Sequence, residues 1–450
     1  MAYTVEKITL GFLEKATGGS IVFGSPDEVI DSISTDSRDC ENVSLFIALS
    51  GENFDGNKFI PMAVQNGAKG YISSSDCTFT DCDFALKVED SRKALLDIAS
   101  SYRDRFNINI VGLTGSVGKT TTKEMISSVL ETERHIIKTQ GNFNNEIGLP
   151  LTLFGIRGEH EIGVIEMGMS NFGEIERLSS CAKPSVAVIT NIGESHIEYL
   201  GSQQGILKAK CEIFDGLKEG GTVILNGDDP LLYGIKGTLP FKTIYYGMKN
   251  ADCEVVATGI TPGNNGISFS VGEEKYSINL FGNHNVLNAL CAITVGRIFG
   301  LSEENIKKGL AGFVSTGIRQ SITEKDGITV ITDCYNAAPT SVKSAFEVLT
   351  QIAKGRKIAV LGDMAELGEM SEHYHRQIGE AAVSNKIDLL VLKGQYAKFV
   401  SLGADGIESV ICEDNDSMEK FLRENLNCGD TVLFKGSRVM KLEEVANKFN

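Results

Sequence analysis

From Ile108 to Lys123 the chain runs as an apolar segment, Ile108-Asn109-Ile110-Val111-Gly112-Leu113. It then breaks into Thr114-Gly115-Ser116-Val117-Gly118 and resumes as Lys119-Thr120-Thr121-Thr122-Lys123. That order reads as a strand, a phosphate-cradling loop and the first turn of a helix. Glycines let backbone N–H groups close around a polyphosphate, the helix N-terminus adds its positive dipole end, Lys119 supplies a point charge and the Thr120 hydroxyl can ligate magnesium. The stretch is therefore read as a site for ATP or GTP. The competing reading is a Gly/Thr-rich turn with an incidental lysine. The strict P-loop pattern also wants a glycine five residues before Gly118, where this chain has Leu113.

A chain of 450 residues exceeds one ordinary core, and three domains are expected. The formal net charge of −16 and the absence of a basic run argue against nucleic acid or anionic membrane as a partner. Ten cysteines are scattered without a Cys-x-x-Cys pair, so neither a zinc site nor a disulfide framework is indicated, and a reducing cytoplasm is expected. Nowhere do about eighteen apolar residues run together, and the N-terminus lacks a basic leader, which predicts a soluble protein without membrane insertion.

Residues 1–107 mix short strands and helices, with turn signals at Gly18-Gly19 and Gly51-Glu52-Asn53, and end in the amphipathic stretch Ser91 to Phe106. From 108 to 315, apolar runs alternate with helical patterns at Ile108–Leu113, Ile162–Met167, Val186–Thr190 and Val223–Asn226. This predicts βα units on a mainly parallel sheet. Hairpin-like segments follow at 251–280, around Pro262-Gly263-Asn264-Asn265-Gly266, and then a helical stretch from Asn285 to Phe299. A second α/β series, Ile328–Thr332, Ile358–Leu361, Leu389–Leu392 and Thr431–Phe434, predicts a Rossmann-like domain over 316–450. The expected fold class is α/β in three domains.

Glu166 closes the run Ile162-Gly163-Val164-Ile165, and a carboxylate at the C-terminal end of a parallel strand faces the ligand crevice, where it can hold magnesium opposite Thr120. The alternative is an ordinary strand-end acid in solvent. His196 follows the next strand in Thr190-Asn191-Ile192-Gly193-Glu194-Ser195-His196, and a histidine there is functional or simply structural. Lys210 lies fourteen residues later on an expected helix. Helix lysines are usually solvated, but one in a desolvated pocket loses its proton and can react with carbon dioxide to give a metal-ligating carbamate. Asparagines concentrate in Asn142-Phe143-Asn144-Asn145 and in Asn283-His284-Asn285-Val286-Leu287-Asn288, where amides suit a polar substrate or an adenine edge, or equally turns and caps.

Together these motifs resemble the ATP-dependent Mur ligases, and within them the branch that adds D-alanyl-D-alanine. The carriers are Thr114 to Thr121, Gly141 to Pro150, Glu166-Met167-Gly168-Met169-Ser170, Thr190-Asn191-Ile192, His284 to Asn288, Gly362 to Gly368 and Lys435-Gly436-Ser437-Arg438. In the first domain they are Thr35-Asp36-Ser37-Arg38 and Phe46 to Gly56. The resemblance implies a UDP-sugar-binding domain over 1–107, a central ATP-binding domain over 108–315 and a C-terminal domain over 316–450. It assigns Thr114, Gly115, Ser116, Val117, Gly118, Lys119, Thr120 and Thr121 to ATP, with Asn288 on adenine, Asp333 on ribose and Arg319 on the phosphates. Thr120 and Glu166 are assigned to one magnesium, and His196 with a carbamylated Lys210 to a second. Ser37, Arg38, Asn142, Asn144, Asn145 and Asn336 are assigned to substrate. The implied reaction joins UDP-N-acetylmuramoyl-tripeptide to D-Ala-D-Ala through an acyl phosphate in cytoplasmic peptidoglycan precursor synthesis, in a monomer. Lys119, Glu166, His196, Lys210 and Arg319 would carry the catalysis. The chain departs from the branch's usual pattern at Thr332, Ala338 and Asn57. Competing readings are a ligase of the same fold adding another amino acid, a polyglutamate-forming relative, a non-catalytic homologue, and a GTPase switch. The last needs an Asn-Lys-x-Asp motif after a strand, and none is read there.

Overall fold

A computed structural model describes residues 2–51, 54–263, 265–314 and 319–450. Glu52 and Asn53 of the expected first-domain motif, Asn264 of the hairpin turn and the expected domain boundary at 315/316 lie outside the described residues. The chain is α/β and divides into two compact units. One comprises Met1–Thr114, Arg134–Val188 and Cys211–Thr222; the other comprises Gly115–Glu133, Ile189–Lys210 and Val223–Asn450.

The first unit carries a six-stranded sheet in the order Tyr3–Thr9, Val29–Ser34, Leu45–Ile47, Gly70–Ser73, Phe84–Lys87, Ser20–Phe23. Its outer pairs are antiparallel and its inner pairs parallel. The two central strands, Leu45–Ile47 and Gly70–Ser73, are buried on both faces, as parallel strands covered on two sides are. The helix Ser91–Arg103 starts where the Asp90 carboxylate accepts from the N–H groups of Arg92 and Lys93. A second run in this unit orders the strands Ile136–Lys138, Ile162–Glu166, Asn109–Thr114 and Val186–Ile189. Its first three are parallel, with Glu166 level with Leu113. Glu166 therefore ends its strand beside the residue that precedes Thr114.

The second unit holds the helix Lys119–Leu130, whose buried Met125, Ile126, Val129 and Leu130 face the helices Asn283–Ile298 and Glu303–Gly312. Each such side chain contributes about 1.5–3 kcal/mol. Gly309 permits the approach, because a Cβ there would meet the Val129 backbone at 2.5 Å. Asn283–Ile298 is buried almost all round, and accordingly its sequence shows no polar face. The expected hairpin segments are the strands Val255–Gly263, Gly266–Val271 and Glu274–Ile278, paired antiparallel. The last sheet has the order Ser321–Lys325, Ile328–Thr332, Thr431–Lys435, Lys357–Gly362, Leu389–Lys393, Glu408–Cys412, parallel except for its first pair. Its two edge strands, Ser321–Lys325 and Glu408–Cys412, were not expected from the sequence. Ser321–Lys325 is largely exposed and has no continuous apolar run, and Glu408–Cys412 offers only the short run Val410-Ile411-Cys412, of which Ile411 is exposed.

Candidate active site

In the second unit the expected phosphate loop is held in shape by hydrogen bonds from within the protein. Gly115 has φ +154°, and a Cβ on it would meet the Thr190 hydroxyl at 1.9 Å; Gly118 has φ +82° and faces Asn288 Oδ1. Both conformations favour glycine. Asn191 clamps the loop from the following strand end. Its Oδ1 accepts from Val117 N–H at 2.9 Å, its Nδ2 donates to Val117 C=O at 2.7 Å, and its carbonyl accepts from Ser116 N–H at 3.1 Å. The Thr190 hydroxyl donates to the same Val117 carbonyl at 2.8 Å, and Ser116 Oγ accepts from Gly193 N–H at 2.9 Å. Lys119 Nζ donates back to Gly115 C=O at 2.8 Å. The helix then begins at Gly118 with no side chain capping its first turn, which leaves its dipole end for an anion. Thr120 and Thr121 stand half-buried in that turn. In the first unit the Thr114 hydroxyl is buried without a hydrogen-bond partner. This donor set, loop amides beside an ammonium and an uncapped helix start, fits a nucleotide polyphosphate.

Asn288 is engaged within the protein. Its Oδ1 accepts from the Thr122 hydroxyl at 3.0 Å and its Nδ2 donates to Asn285 Oδ1 at 3.0 Å. Lys210, on the helix Gln203–Cys211, is only 2% exposed, whereas Lys208 on the same helix is exposed. Among the described residues no carboxylate pairs with Lys210. Burial, with the positive charge of Lys119 second, pushes its pKa well below the ordinary lysine range. A neutral amine is the form that adds carbon dioxide, so Lys210 fits the expected carbamate. His196 has a left-handed backbone, φ +65°, as does Glu366, φ +61°. The two meet at 2.6 Å between Nδ1 and Oε2, and the contact with His196 holds the Glu366 carboxyl below its ordinary value. Two non-glycine residues in that region cost about 1–3 kcal/mol each, a pattern that gathers at functional sites. Among the described residues no three His, Cys, Asp or Glu side chains converge as a cation site. The expected magnesium set has one histidine and one glutamate, and draws its other donors from a hydroxyl and a carbamate.

A second cluster sits off the C-terminal ends of the strands Ile328–Thr332 and Thr431–Lys435. Lys435, 2% exposed, donates to Asp333 Oδ2 at 2.6 Å and to Asn336 C=O at 3.1 Å. Asn336 Oδ1 accepts from Ala337 N–H at 2.9 Å. Arg319 stacks on Tyr335, its guanidinium carbon 3.8 Å from the ring centre, and Arg438 lies over the same ring at 5.6 Å. His284 is half-buried, with its Nδ1 enclosed and unpartnered, and burial pushes its pKa down to about 4. Thr332, one of the departures, buries a hydroxyl that finds no partner; Ala338 leads into the helix Pro339–Ile352.

In the first unit Glu166 is 2% exposed, and its Oε1 accepts from Asn144 Nδ2 at 2.8 Å. Asn145 Oδ1 caps the helix Gly148–Leu153 through Ile147 and Gly148 N–H, while Asn142 is exposed. Arg38 forks onto Asp36 at 2.9 and 2.7 Å, and Ser37 Oγ lies 3.6 Å from Met62 Sδ. Asn57, the third departure, is consumed by Ser50, Asp55 and Ser73. The sequence reading missed Asn191, Glu366 and Lys435 as individual residues, although each lies in a motif it singled out. It also missed Tyr335. The letters Asn385-Lys386-Ile387-Asp388 do occur in the sequence, though not after a strand. They follow the helix Ser371–Ser384 and precede a strand, and Asp388 Oδ2 accepts from Lys357 N–H at 2.7 Å. They are a helix-to-strand connection and not a guanine reader.

Three stretches match known families: residues 29–103 the Mur ligase family catalytic domain, 113–296 the Mur ligase middle domain and 319–438 the Mur ligase glutamate ligase domain. The chain is 41% identical to the UDP-N-acetylmuramoyl-tripeptide--D-alanyl-D-alanine ligase of Bacillus subtilis, over 93% of this chain and 92% of that one. It is similar to a crystal structure of MurF from Acinetobacter baumannii, with TM-score 0.93, 32% identity and 99% of each chain covered. It is also similar to the MurF ligase of Thermotoga maritima in complex with ADP, with TM-score 0.85, 30% identity, and 93% and 96% covered.

Proposed function

Because this chain belongs to the Mur ligase family, we propose that it is the ATP-dependent ligase that joins D-alanyl-D-alanine to UDP-N-acetylmuramoyl-tripeptide in peptidoglycan precursor synthesis. The observation that carries the phosphoryl half is the hydrogen-bonded loop Gly115–Gly118 with Lys119 folded over it. The dipeptide half rests on the likeness to the Bacillus subtilis ligase. The three-part division at 1–107, 108–315 and 316–450, the cytoplasmic location and the monomeric state belong to the same proposal; the matched family ranges support the division.

The reaction sets the electrostatic problem. A tripeptide carboxylate must attack the γ-phosphorus of ATP, forming a C–O–P link as the bond to ADP breaks. The dipeptide amine then attacks the acyl carbon, phosphate leaves and the nitrogen loses a proton. A carboxylate about 4 Å from a phosphate charge is repelled by roughly 4 kcal/mol at an intermediate dielectric. A chain of net charge −16 cannot offset that with its overall field, so local cations must. Lys119 is held over the loop to meet the β- and γ-phosphates, and Arg319 supplies a second cation from the C-terminal part. Asp333 is assigned to the ribose and Asn288 to the adenine edge, while Ser37, Arg38, Asn142, Asn144, Asn145 and Asn336 are assigned to substrate. Thr120, Glu166, His196 and a carbamylated Lys210 would hold magnesium, which when bound neutralises phosphate oxygens. The carbamate forms when the neutral Lys210 amine adds to carbon dioxide and releases a proton.

The test is phosphate release from purified protein given ATP, magnesium, UDP-N-acetylmuramoyl-tripeptide and D-Ala-D-Ala, each omitted in turn, with product mass recorded. Release that needs every component and yields the UDP-linked pentapeptide is expected. Turnover only with another amine moves the assignment to a different ligase of the family. For Lys210, stripping carbon dioxide is expected to lower the rate and bicarbonate to restore it; a rate indifferent to both removes the carbamate.

A further inference from the structure

We propose that Tyr335 is a positioning residue that holds Arg319 and Arg438 as a pair directed at one oxyanion of the bound substrates. Arg438 thereby becomes a substrate-binding residue. This rests on the ligase reading above. Topology brings the three residues to the same end of one sheet. Tyr335 follows the strand Ile328–Thr332, and Arg438 follows its parallel neighbour Thr431–Lys435, with Thr332 level with Phe434. Arg319 stands two residues ahead of Ser321, which pairs with Thr332 across the antiparallel edge. In sheets of this kind ligands bind off the carboxyl ends of the strands.

The tyrosine is fixed from below. Buried Lys435 grips Asp333 and Asn336 on either side of it, which anchors the loop that carries the ring. A guanidinium stacked on a ring face keeps its N–H edge turned outward in its own plane, the edge that engages a planar or tetrahedral oxyanion. An anion placed beside the ring is drawn to both cations. Among the described residues Arg438 makes no ion pair, and its side chain is exposed at the ring. Of the oxyanions in the reaction, the pair would meet the ATP phosphates, to which Arg319 is assigned, or the free carboxylate of D-Ala-D-Ala.

The experiment compares Tyr335→Phe, Tyr335→Leu, Arg438→Gln, Arg319→Ala and the double variant Tyr335→Leu/Arg319→Ala. It reads KM and kcat for ATP and for the dipeptide, calorimetric Kd for ATP and for the dipeptide, and Tm. Tyr335→Phe keeps the ring face and is expected within about two-fold of the parent, whereas Tyr335→Leu loses about ten-fold in kcat/KM, about 1.4 kcal/mol. Arg438→Gln should raise KM for one substrate alone: for ATP if the oxyanion is a phosphate, for D-Ala-D-Ala if it is the carboxylate. The double variant should be worse than Arg319→Ala by no more than Arg438→Gln is worse than the parent, because beyond Arg319 the tyrosine acts only through Arg438. The proposal falls if Arg438→Gln changes neither KM, if Phe is as poor as Leu, or if the losses track Tm. A parent protein that releases no phosphate overturns the ligase reading, and the calorimetric arms still judge the arginine pair.

Discussion

Lys210 and Lys435 are the same residue type, each 2% exposed, yet the surroundings of each solve the burial of an ammonium in opposite ways. Lys435 donates to Asp333 Oδ2 and to two backbone carbonyls. Among the described residues Lys210 pairs with no carboxylate, and burial, with the charge of Lys119 second, works against its charged form. A buried cation that is paired staples a loop; one that is unpaired is a nucleophile kept in reserve. Burial alone therefore does not identify a functional lysine, and the company it keeps does.

The largest effect that can break this contrast is Lys435→Met. It leaves Asp333 without its partner and should cost about 3 kcal/mol, at the low end for a broken buried pair because Asp333 retains some access to water. Urea unfolding reads it, and adding Asp333→Leu should recover at least about 1 kcal/mol. If the single variant is as stable as the parent, the staple is decorative.

Lys210→Met sharpens the other side. The folded-state pKa of Lys210 lies well below 10.5, so between that lowered value and 10.5 the unfolded chain binds one more proton here than the folded one. Stability consequently rises with pH through that window, by at most about 1.4 kcal/mol per unit, and stops rising at the unfolded value. In carbon dioxide-free buffer the parent should show this slope and Lys210→Met should flatten it, with stability near neutral pH equal to the parent's or greater. Identical slopes would mean that the lysine stays charged.

The smallest effect belongs to an ion pair left in water. Arg38, by its hydrogen bonds, holds the Asp36 carboxyl down to about 2 from 3.8. A depressed carboxylate contributes stability above its unfolded value and loses it as pH falls through the folded one. Arg38→Ala should lower Tm by about 1 °C or less at pH 7. The gap should close between pH 3.8 and about 2, as thermal melts across that range would record.

The loop Thr114–Thr121, the parallel strands and the buried helix Asn283–Ile298 were legible because each is written in local pattern: glycines at fixed offsets, or apolar runs bounded by turns. Edge strands such as Ser321–Lys325 were not, since a half-exposed strand has no continuous apolar run to betray it. Within the site, Lys119 announced itself by its place after Gly118. The burial of Lys210 did not, because its helix also carries the exposed Lys208 and only the packing of distant segments decides which lysine is dry. Asn191, Glu366 and Tyr335 were hidden for a related reason. Each acts on a residue far along the chain, and no spacing rule connects Asn191 to Val117 or Tyr335 to Arg319.

The clamp that Asn191 and Thr190 place on Val117 has a kinetic side. A loop already bolted into its binding shape gives up little chain entropy when a nucleotide lands, so the encounter has no slow folding step behind it. Capture then runs at a pace set by diffusion and charge. What distinguishes a good nucleotide from a poor one is how long it stays.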